Sequence, residues 1–288
     1  MAVCTQQELA NLGISRCTQM PQMPKSFIKT GLNFEATPTE AIDPEFWQAA
    51  IMAGKAERVY KFPDFVGFEN VSEEAIYEQT PLADLFVRPG KYMFRFHINE
   101  GLCTHRAMYT HNGGNSRIWI WDIANNLLAT EKSNGNFAGV QVSLMNLEKL
   151  VFSDGSVSSK SPLYVVLKDS NEIDKNGVLI PADFVGELNR LTDVELTIPA
   201  TPATSATAIP VTVKNACDGT EVSGLVLADF VLLTAAGVAQ TITSVTESNG
   251  VYTINGTAFV DGTLNLVAAA ALTVEAYESL GSVAVNVP

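Results

Sequence analysis

The sequence predicts a mainly β protein in two parts: an α+β N-terminal domain with a sandwich-like sheet and one flanking helix, and a C-terminal β-sandwich. Three observations lead to this fold class. Aromatic residues recur at alternate positions over residues 91–99 and 117–123, which is the period of a β-strand. Short alternating runs separated by turn residues fill the chain after about residue 192. One amphipathic helix stands out, beginning near residue 44.

Length and charge place a domain boundary near residues 190–195. The 288 residues suffice for two domains. The first 190 residues carry 22 acidic and 17 basic side chains, whereas the chain from Leu191 onward carries nine acids and a single base, Lys214. We therefore predict an N-terminal arm over residues 1–40, a β-rich domain over 41–191 and a β-sandwich over 192–288.

The first forty residues contain several prolines and few periodic signals. They predict an extended arm or a long loop, with a short helix over residues 6–12. Two interpretations stay open at this point: a floppy terminus, or an arm that neighbouring subunits order. Four apolar residues would give such an arm something to bury: Phe27, Ile28, Leu32 and Phe34.

A helix is predicted to begin at Asp43–Pro44. The Asp43 carboxylate can accept a hydrogen bond from a free N–H of the first turn, and proline suits the first helical position. Gly54 suits the position after the last turn. We expect the helix to pack on a sheet, because one of its faces is apolar: Phe46, Trp47, Ala50 and Ile51.

The chain between residues 58 and 168 predicts a mixed sheet. Within Lys91–Asn99, alternate residues from Tyr92 to Ile98 face one way, and those from Met93 to His97 face the other. Arg117–Ile123 is the second strong strand, and the Asn125–Asn126 turn leads into a hairpin. The remaining predictions are strands over 58–62, 75–79, 127–130, 140–144 and 162–168, a short helix over 103–109, a polar loop over 168–177, and helical or irregular chain over 182–191.

The C-terminal part has the strand spacing of a β-sandwich. Asn249–Gly250 is a strong hairpin turn. The segments Val222–Phe230, Gly250–Ile254 and Asp261–Leu264 resemble bacterial and phage immunoglobulin-like (Ig-like) modules, in which V-x-G-L-x-x-x-D-F is followed by G-x-Y-T-I and a G-T-L strand. The predicted strands are centred on Asp193–Ile198, Ile209–Val213, Phe230–Leu232, Ile242–Val245, Tyr252–Ile254, Leu264–Leu266, Leu272–Val274 and Val283–Val287.

The common motifs of catalysis are missing, so no catalytic, cofactor or metal site is predicted and the chain is expected not to be an enzyme. His97, His105 and His111 with Cys103 lie near each other in sequence, but ordinary buried or interface histidines are the favoured interpretation. The carboxylates Glu73, Glu74, Asp169, Glu172 and Asp174 are expected to be solvated loop charges. Trp119 and Trp121 share one strand face, which would suit a core, a subunit contact or a ligand groove.

Three features bear on the compartment. The first residues lack the pattern of a signal peptide, and no apolar run reaches the length of a membrane span. No two of Cys4, Cys17, Cys103 and Cys217 form a CxxC pair, so free thiols are expected in a reducing cytoplasm. The net charge of −13 argues against a protein that grips nucleic acid through phosphate contacts.

The larger domain resembles virion structural proteins of tailed bacteriophages that infect Bacteroidetes-type hosts. The resemblance follows the order of the helix Asp43–Gly54, the run Phe68–Thr80, the aromatic strand Tyr92–Ile98, the segment Cys103–Tyr109, and the strand Arg117–Asp122 with its Asn-Asn turn. It also follows the tail-tube plan of a β-sandwich, a flanking helix, a long loop and an arm. A C-terminal Ig-like domain often accompanies tube subunits of this type.

The resemblance implies a major tail-tube subunit whose hexameric rings stack into a DNA-conducting tube. Its partners would be other copies of itself and other virion proteins, DNA would be passing cargo, and no membrane would be involved. Its place would be the virion, assembled in the bacterial host cytoplasm. Two alternatives remain at this point: a capsid or head decoration protein, and a glycan-binding adhesin module using Trp119 and Trp121.

Overall fold

The computed structural model describes residues 20–79, 84–203, 206–272 and 275–287, and this part of the chain is mainly β. It forms two compact units. The first contains the chain up to Ala50 and Glu57–Leu188, and the second contains Ile51–Ala56 and the chain from Asn189 onward. The division between Leu188 and Asn189 lies close to the start expected for the C-terminal domain. The predicted helix over 6–12 lies outside the described residues.

The first unit is built from thirteen described strands and three short α-helices, with 3-10 turns at Glu40–Ile42 and Asp183–Glu187. The helices are α1 Pro44–Met52, α2 Leu102–Tyr109 and α3 Asn171–Asp174. The strands are β1 Pro24–Thr30, β2 Glu35–Ala36, β3 Tyr60–Lys61, β4 Gly67–Asn70, β5 Ile76–Gln79, β6 Asp84–Arg88, β7 Met93–Ile98, β8 Ser116–Asp122, β9 Asn126–Glu131, β10 Phe137–Ala138, β11 Val140–Leu147, β12 Ser161–Leu167 and β13 Gly177–Pro181.

Eleven of these strands form one sheet, in the order β2-β10-β9-β8-β11-β12-β7-β4, with β1 on β8 and β3, and β13 on β9. The prediction of a mixed sheet was wrong, because every described pairing in this sheet is antiparallel. The physical reason is the short connections: β8 and β9 are joined by a tight turn, and parallel neighbours need long crossovers. At that turn Asn125 has a φ of 62°.

The sheet curves around one apolar core. The segment after β3 bonds to two strands that do not pair with each other: the Phe65 amide donates to the Lys25 carbonyl of β1 at 2.7 Å, and the Val66 amide donates to the His97 carbonyl of β7 at 2.8 Å. Phe27 of β1 therefore meets Phe96 of β7, with ring centroids 5.7 Å apart. Burying such side chains stabilises the fold by about 25 cal/mol for each Å² of apolar surface.

The two strong predicted strands are confirmed with their facing. Phe94, Phe96 and Ile98 point into the core, while Arg95 and His97 lie on the other face and bond to Glu69. The predicted flanking helix is also confirmed. Its first turn is capped, because Asp43 Oδ1 accepts a hydrogen bond from the Glu45 amide at 3.0 Å.

Helix α1 packs on the opposite side of the sheet through an aromatic cluster. The ring of Trp47 lies 5.0 Å from that of Trp119, edge to face. Phe34 lies 5.7 Å from Trp47. Such pairs add about 0.5–1.5 kcal/mol each beyond their burial. The helix is thus held where the sequence predicted, on a sheet.

Part of the predicted arm is a core strand instead. Residues Pro24–Thr30 form β1, which pairs with β8 over its whole length, and Phe27 and Ile28 are both fully buried. The sequence concealed this strand because adjacent apolar residues are buried on both faces of the sheet, so the polar alternation of a half-buried strand is absent. The remainder of the predicted arm, residues 1–19, lies outside the described residues.

The second unit consists of two sheets around a separate apolar core. The strands are β14 Leu191–Thr197, β15 Ala208–Asn215, β16 Phe230–Thr234, β17 Ile242–Ser248, β18 Val251–Gly256, β19 Gly262–Leu266, β20 Ala269–Leu272, β21 Glu275–Ser279 and β22 Val283–Val285. One sheet has the order β17-β18-β15-β14-β21-β20 and the other β16-β19-β22, and the pairing of β14 with β21 is parallel.

The predicted turn between β17 and β18 is confirmed. Asn249 and Gly250 have φ values of 52° and 72°, the left-handed conformations that a two-residue hairpin turn requires. Strand β21 was not predicted, since its sequence Glu-Ala-Tyr-Glu-Ser is largely polar. Part of the predicted strand Leu272–Val274 lies outside the described residues.

Candidate functional site

The three histidines lie in three separate networks. His97 Nε2 lies 2.8 Å from Glu69 Oε1, His105 Nδ1 lies 2.8 Å from the Ser161 hydroxyl, and His111 Nδ1 lies 3.3 Å from Lys29 Nζ. Within the described ranges, no group of three or more His, Cys, Asp or Glu side chains is placed to hold a metal ion.

The two tryptophans of β8 are core residues. Trp119 and Trp121 are 0% and 1% exposed, so a ligand cannot reach either ring. Trp119 packs on α1 as described above, and Lys25 Nζ lies 4.0 Å from the ring centroid of Trp121. The ligand-groove hypothesis for these residues was therefore wrong, and the core interpretation is confirmed.

One of the predicted loop carboxylates is buried. Glu172 Oε1 accepts a hydrogen bond from Arg117 Nη1 at 3.0 Å, and the two side chains are only 15% and 7% exposed. Glu172 Oε2 also accepts from the Gln141 amide. The prediction of a solvated charge was wrong here, because α3 turns this side chain toward the guanidinium that projects from β8.

The prediction of free thiols was also wrong. Cys103 and Cys217 are both disulfide-bonded, and no described cysteine is free. Spacing alone favoured thiols because no CxxC pair is present; the bonds depend on three-dimensional proximity that sequence spacing does not encode. Cys4 and Cys17 lie outside the described residues.

A projecting ribbon is the most unusual surface of the first unit. The β4–β7 ladder continues past its ends, since the Val71 and Glu73 amides donate to the Met93 and Lys91 carbonyls at 2.9 and 3.0 Å. Beyond this ladder, β5 and β6 pair only with each other among the described strands. We call residues 76–79 and 84–88 the arm from here on; it is a different segment from the N-terminal arm predicted over residues 1–40.

Both faces of the arm carry exposed apolar side chains, beside polar residues such as Glu78, which pairs with Leu85. Tyr77 and Phe86 pair across one face, with ring centroids 5.8 Å apart, and Leu85 and Val87 alternate onto the other. The side chains of Tyr77, Leu85, Phe86 and Val87 are between 51% and 60% exposed. A lone two-stranded ribbon is at best marginally stable in water, so an exposed ribbon with these apolar side chains is a candidate surface for contact with another molecule.

A small cleft lies at the base of the arm, between it and the segment around α3. Its volume is about 330 Å³. The cleft is lined by both charged and aromatic side chains, including Glu73, Phe86, Lys91, Tyr92 and Asp174. The Tyr92 hydroxyl donates to Asp174 Oδ1 at 2.6 Å. This hydrogen bond, together with burial, raises the pKa of Tyr92 to about 12, so Tyr92 remains a donor at neutral pH.

A half-buried basic pair lies near one end of the core. Burial lowers the pKa of Lys29. Burial, and to a smaller extent the positive charge of Lys29, lower the pKa of His111 to about 4. The His111 ring packs edge-on against Tyr60 at 4.5 Å, and an imidazolium there would lose hydration beside an ammonium.

We predict a specific acid sensitivity from His111. The unfolded chain binds this proton near the ordinary value of 6.5, whereas the folded chain binds it near pH 4. The stability that the neutral ring contributes is therefore complete above pH 6.5 and is lost as the pH falls from 6.5 to about 4. In a fully buried group, a pKa shift of this size would correspond to a larger change in the free energy of unfolding. His111 is partly exposed, so the expected loss is about 1–2 kcal/mol. Urea unfolding of wild type and His111→Gln from pH 7 to pH 4 measures it; parallel curves would contradict the assignment.

Comparison with known proteins does not assign the chain to a family. No protein-family model matches the chain, and no curated protein matches it. Within the described part of the chain, none of the helices combines the length and the apolar character that crossing a membrane requires.

Proposed function

We propose that the chain is a structural subunit of a bacteriophage particle, and specifically the major tail-tube protein. In this role, copies associate in rings, the rings stack into a tube that conducts DNA, and the Ig-like unit stays exposed on the outside. The observation that carries the proposal is the arm, an apolar two-stranded ribbon without a partner strand among the described residues.

The main sheet supports an assembling role. Two of the strands that end the sheet, β2 and β4, are only two and four residues long, which limits unwanted pairing at those edges. The arm is instead the extended, apolar element that a second copy would cover. In a ring of identical copies, the arm of each subunit would meet the same complementary surface of its neighbour, so one such ribbon in each chain can serve every contact of the ring.

Charge and covalent structure fit the same role. A net charge of −13 suits a tube that DNA must traverse without being gripped. The disulfide bonds of Cys103 and Cys217 suit a particle that persists outside the cell, since such bonds last at virion surfaces. Neither feature selects the tube over a head decoration protein, and locating the chain in the particle by cryo-electron microscopy would separate those two roles.

We predict that assembly depends on the arm. Full-length protein should form rings or tubes by negative-stain electron microscopy and sediment as an oligomer. Leu85→Ser combined with Val87→Ser should shift it to monomer, because the variant removes most of one apolar face while keeping the strand pairing. Phe152→Ser is the matched control, since Phe152 is 77% exposed but lies outside the arm. A strictly monomeric wild type at high concentration, and its absence from purified virions, would contradict the proposal.

A further inference from the structure

The cleft at the base of the arm has the composition of a small-molecule site. Its volume of about 330 Å³ falls at the lower end of the range for ligand pockets. Aromatic rings from two segments line the cleft: Phe86 lies in β6, and Tyr92 directly precedes β7. Hydrogen-bonding groups come from the chain on both sides of these rings.

Part of the lining is held in place before any ligand arrives. Tyr92 packs against the apolar core through its ring and bonds to Asp174 through its hydroxyl. Glu73 Oε2 accepts from Arg88 Nη1 at 3.0 Å. At the rim of the cleft, the backbone at Gly90 packs directly against the backbone at Glu73. The two are so close that a Cβ added at Gly90 would lie 2.1 Å from the Glu73 carbonyl oxygen. Binding to a site whose groups are already ordered loses little conformational entropy.

The charges of the cleft disfavour an anionic ligand. An anion would meet the carboxylates of both Glu73 and Asp174, and only one ammonium, that of Lys91, stands against them. A neutral group that both donates and accepts hydrogen bonds can use all three. The exposed ring of Phe86 in addition requires a ligand with an apolar face. A pyranose sugar combines these properties, because its hydroxyls donate and accept while its ring C–H groups form an apolar face.

We propose that this cleft binds a neutral pyranose unit of a glycan. The carboxylates of Glu73 and Asp174 accept from sugar hydroxyls, the Lys91 ammonium donates to them, and the rings of Phe86 and Tyr92 cover the apolar face. This activity goes beyond the proposed assembly role. It uses the arm face that carries Phe86, whereas the assembly variant changes the opposite face, so either proposal can fail without the other.

Saturation-transfer NMR on the full-length protein tests the site with methyl glucoside, methyl galactoside, methyl mannoside and N-acetylglucosamine as neutral probes. Glucuronate is the charged probe. We expect at least one neutral sugar to bind and glucuronate to bind at least about tenfold more weakly, the scale on which an unmatched charge acts. Absence of binding by every neutral sugar, or equal binding of glucuronate, overturns the proposal.

Variants then localise the binding. Phe86→Ala and Asp174→Ala should each weaken it by about tenfold or more, whereas Phe152→Ala, which changes an exposed aromatic residue outside the cleft, should leave it unchanged. Asp174→Asn removes the charge that strengthens the bond to a sugar hydroxyl, so it should weaken binding. Because it keeps an acceptor for the Tyr92 hydroxyl, its thermal unfolding curve should stay that of wild type. Unchanged affinity in all three cleft variants overturns the proposal. So does a map of the assembled protein in which a peptide segment of another copy fills the cleft.

Discussion

Replacing Glu172 with alanine should lower the free energy of unfolding by about 3–5 kcal/mol, the range for removing one partner of a buried ion pair. The variant leaves the Arg117 guanidinium nearly enclosed, with its side chain only 7% exposed. Arg117 still donates to the Leu32 and Gly139 carbonyls at 3.1 and 2.6 Å, but neither carbonyl neutralises its charge. The Gln141 amide loses its acceptor as well. Urea unfolding of the full chain gives the difference directly.

A double-mutant cycle distinguishes the ion pair from simple loss of contacts. Arg117→Met in the Glu172→Ala background should recover part of the loss, because the uncompensated charge is gone. Glu73→Ala is the matched control, since its pair with Arg88 is 43% and 42% exposed at the two side chains. That pair should contribute no more than about 1 kcal/mol. Equal effects of Glu172→Ala and Glu73→Ala would contradict the buried-pair interpretation.

The elements that the sequence predicted are those in which burial follows a simple period. Strand β7 shows its facing through alternate aromatic residues, and α1 shows its start through Asp43 and Pro44. The Asn249–Gly250 turn is readable because only a few residues adopt left-handed backbone conformations. In each case the signal lies within a few neighbouring residues, so no knowledge of the rest of the chain is needed.

The missed elements depend on distant partners. Strand β1 is a strand because it lies between β8 and β3, with buried residues on both faces. The burial of Glu172 depends on a side chain 55 residues away in sequence. The cleft combines residues near 73, 86, 92 and 174, and no local pattern joins them. The first strand of the arm was predicted over Ala75–Gln79, whereas the second was not predicted, and the exposure of both faces is visible only once the sheet pairing is known.

Reduction of the disulfide bonds should have the second large effect. Adding a thiol-free reductant such as TCEP to the folded protein should lower the free energy of unfolding by about 2–4 kcal/mol for each bond reduced, since a cross-link limits the freedom of the unfolded chain. Thermal unfolding with and without reductant measures the change. Alkylation before and after reduction, followed by peptide mapping, shows which cysteines were bonded. Cys103→Ser and Cys217→Ser should each lose the stability that the bond of the replaced cysteine contributes.

The reduced chain should nevertheless stay folded, and this expectation links stability to the proposed life of the protein. A subunit made in a bacterial cytoplasm folds where thiols remain reduced, and it meets oxidising conditions only in the released particle. The two apolar cores, one in each unit, must therefore supply enough stability without the bonds. Labelling of Cys103 and Cys217 by iodoacetamide in the unreduced folded protein would contradict the bonds. Unfolding of the chain on reduction at 25 °C would instead contradict cytoplasmic folding, and with it the proposed assembly in the host.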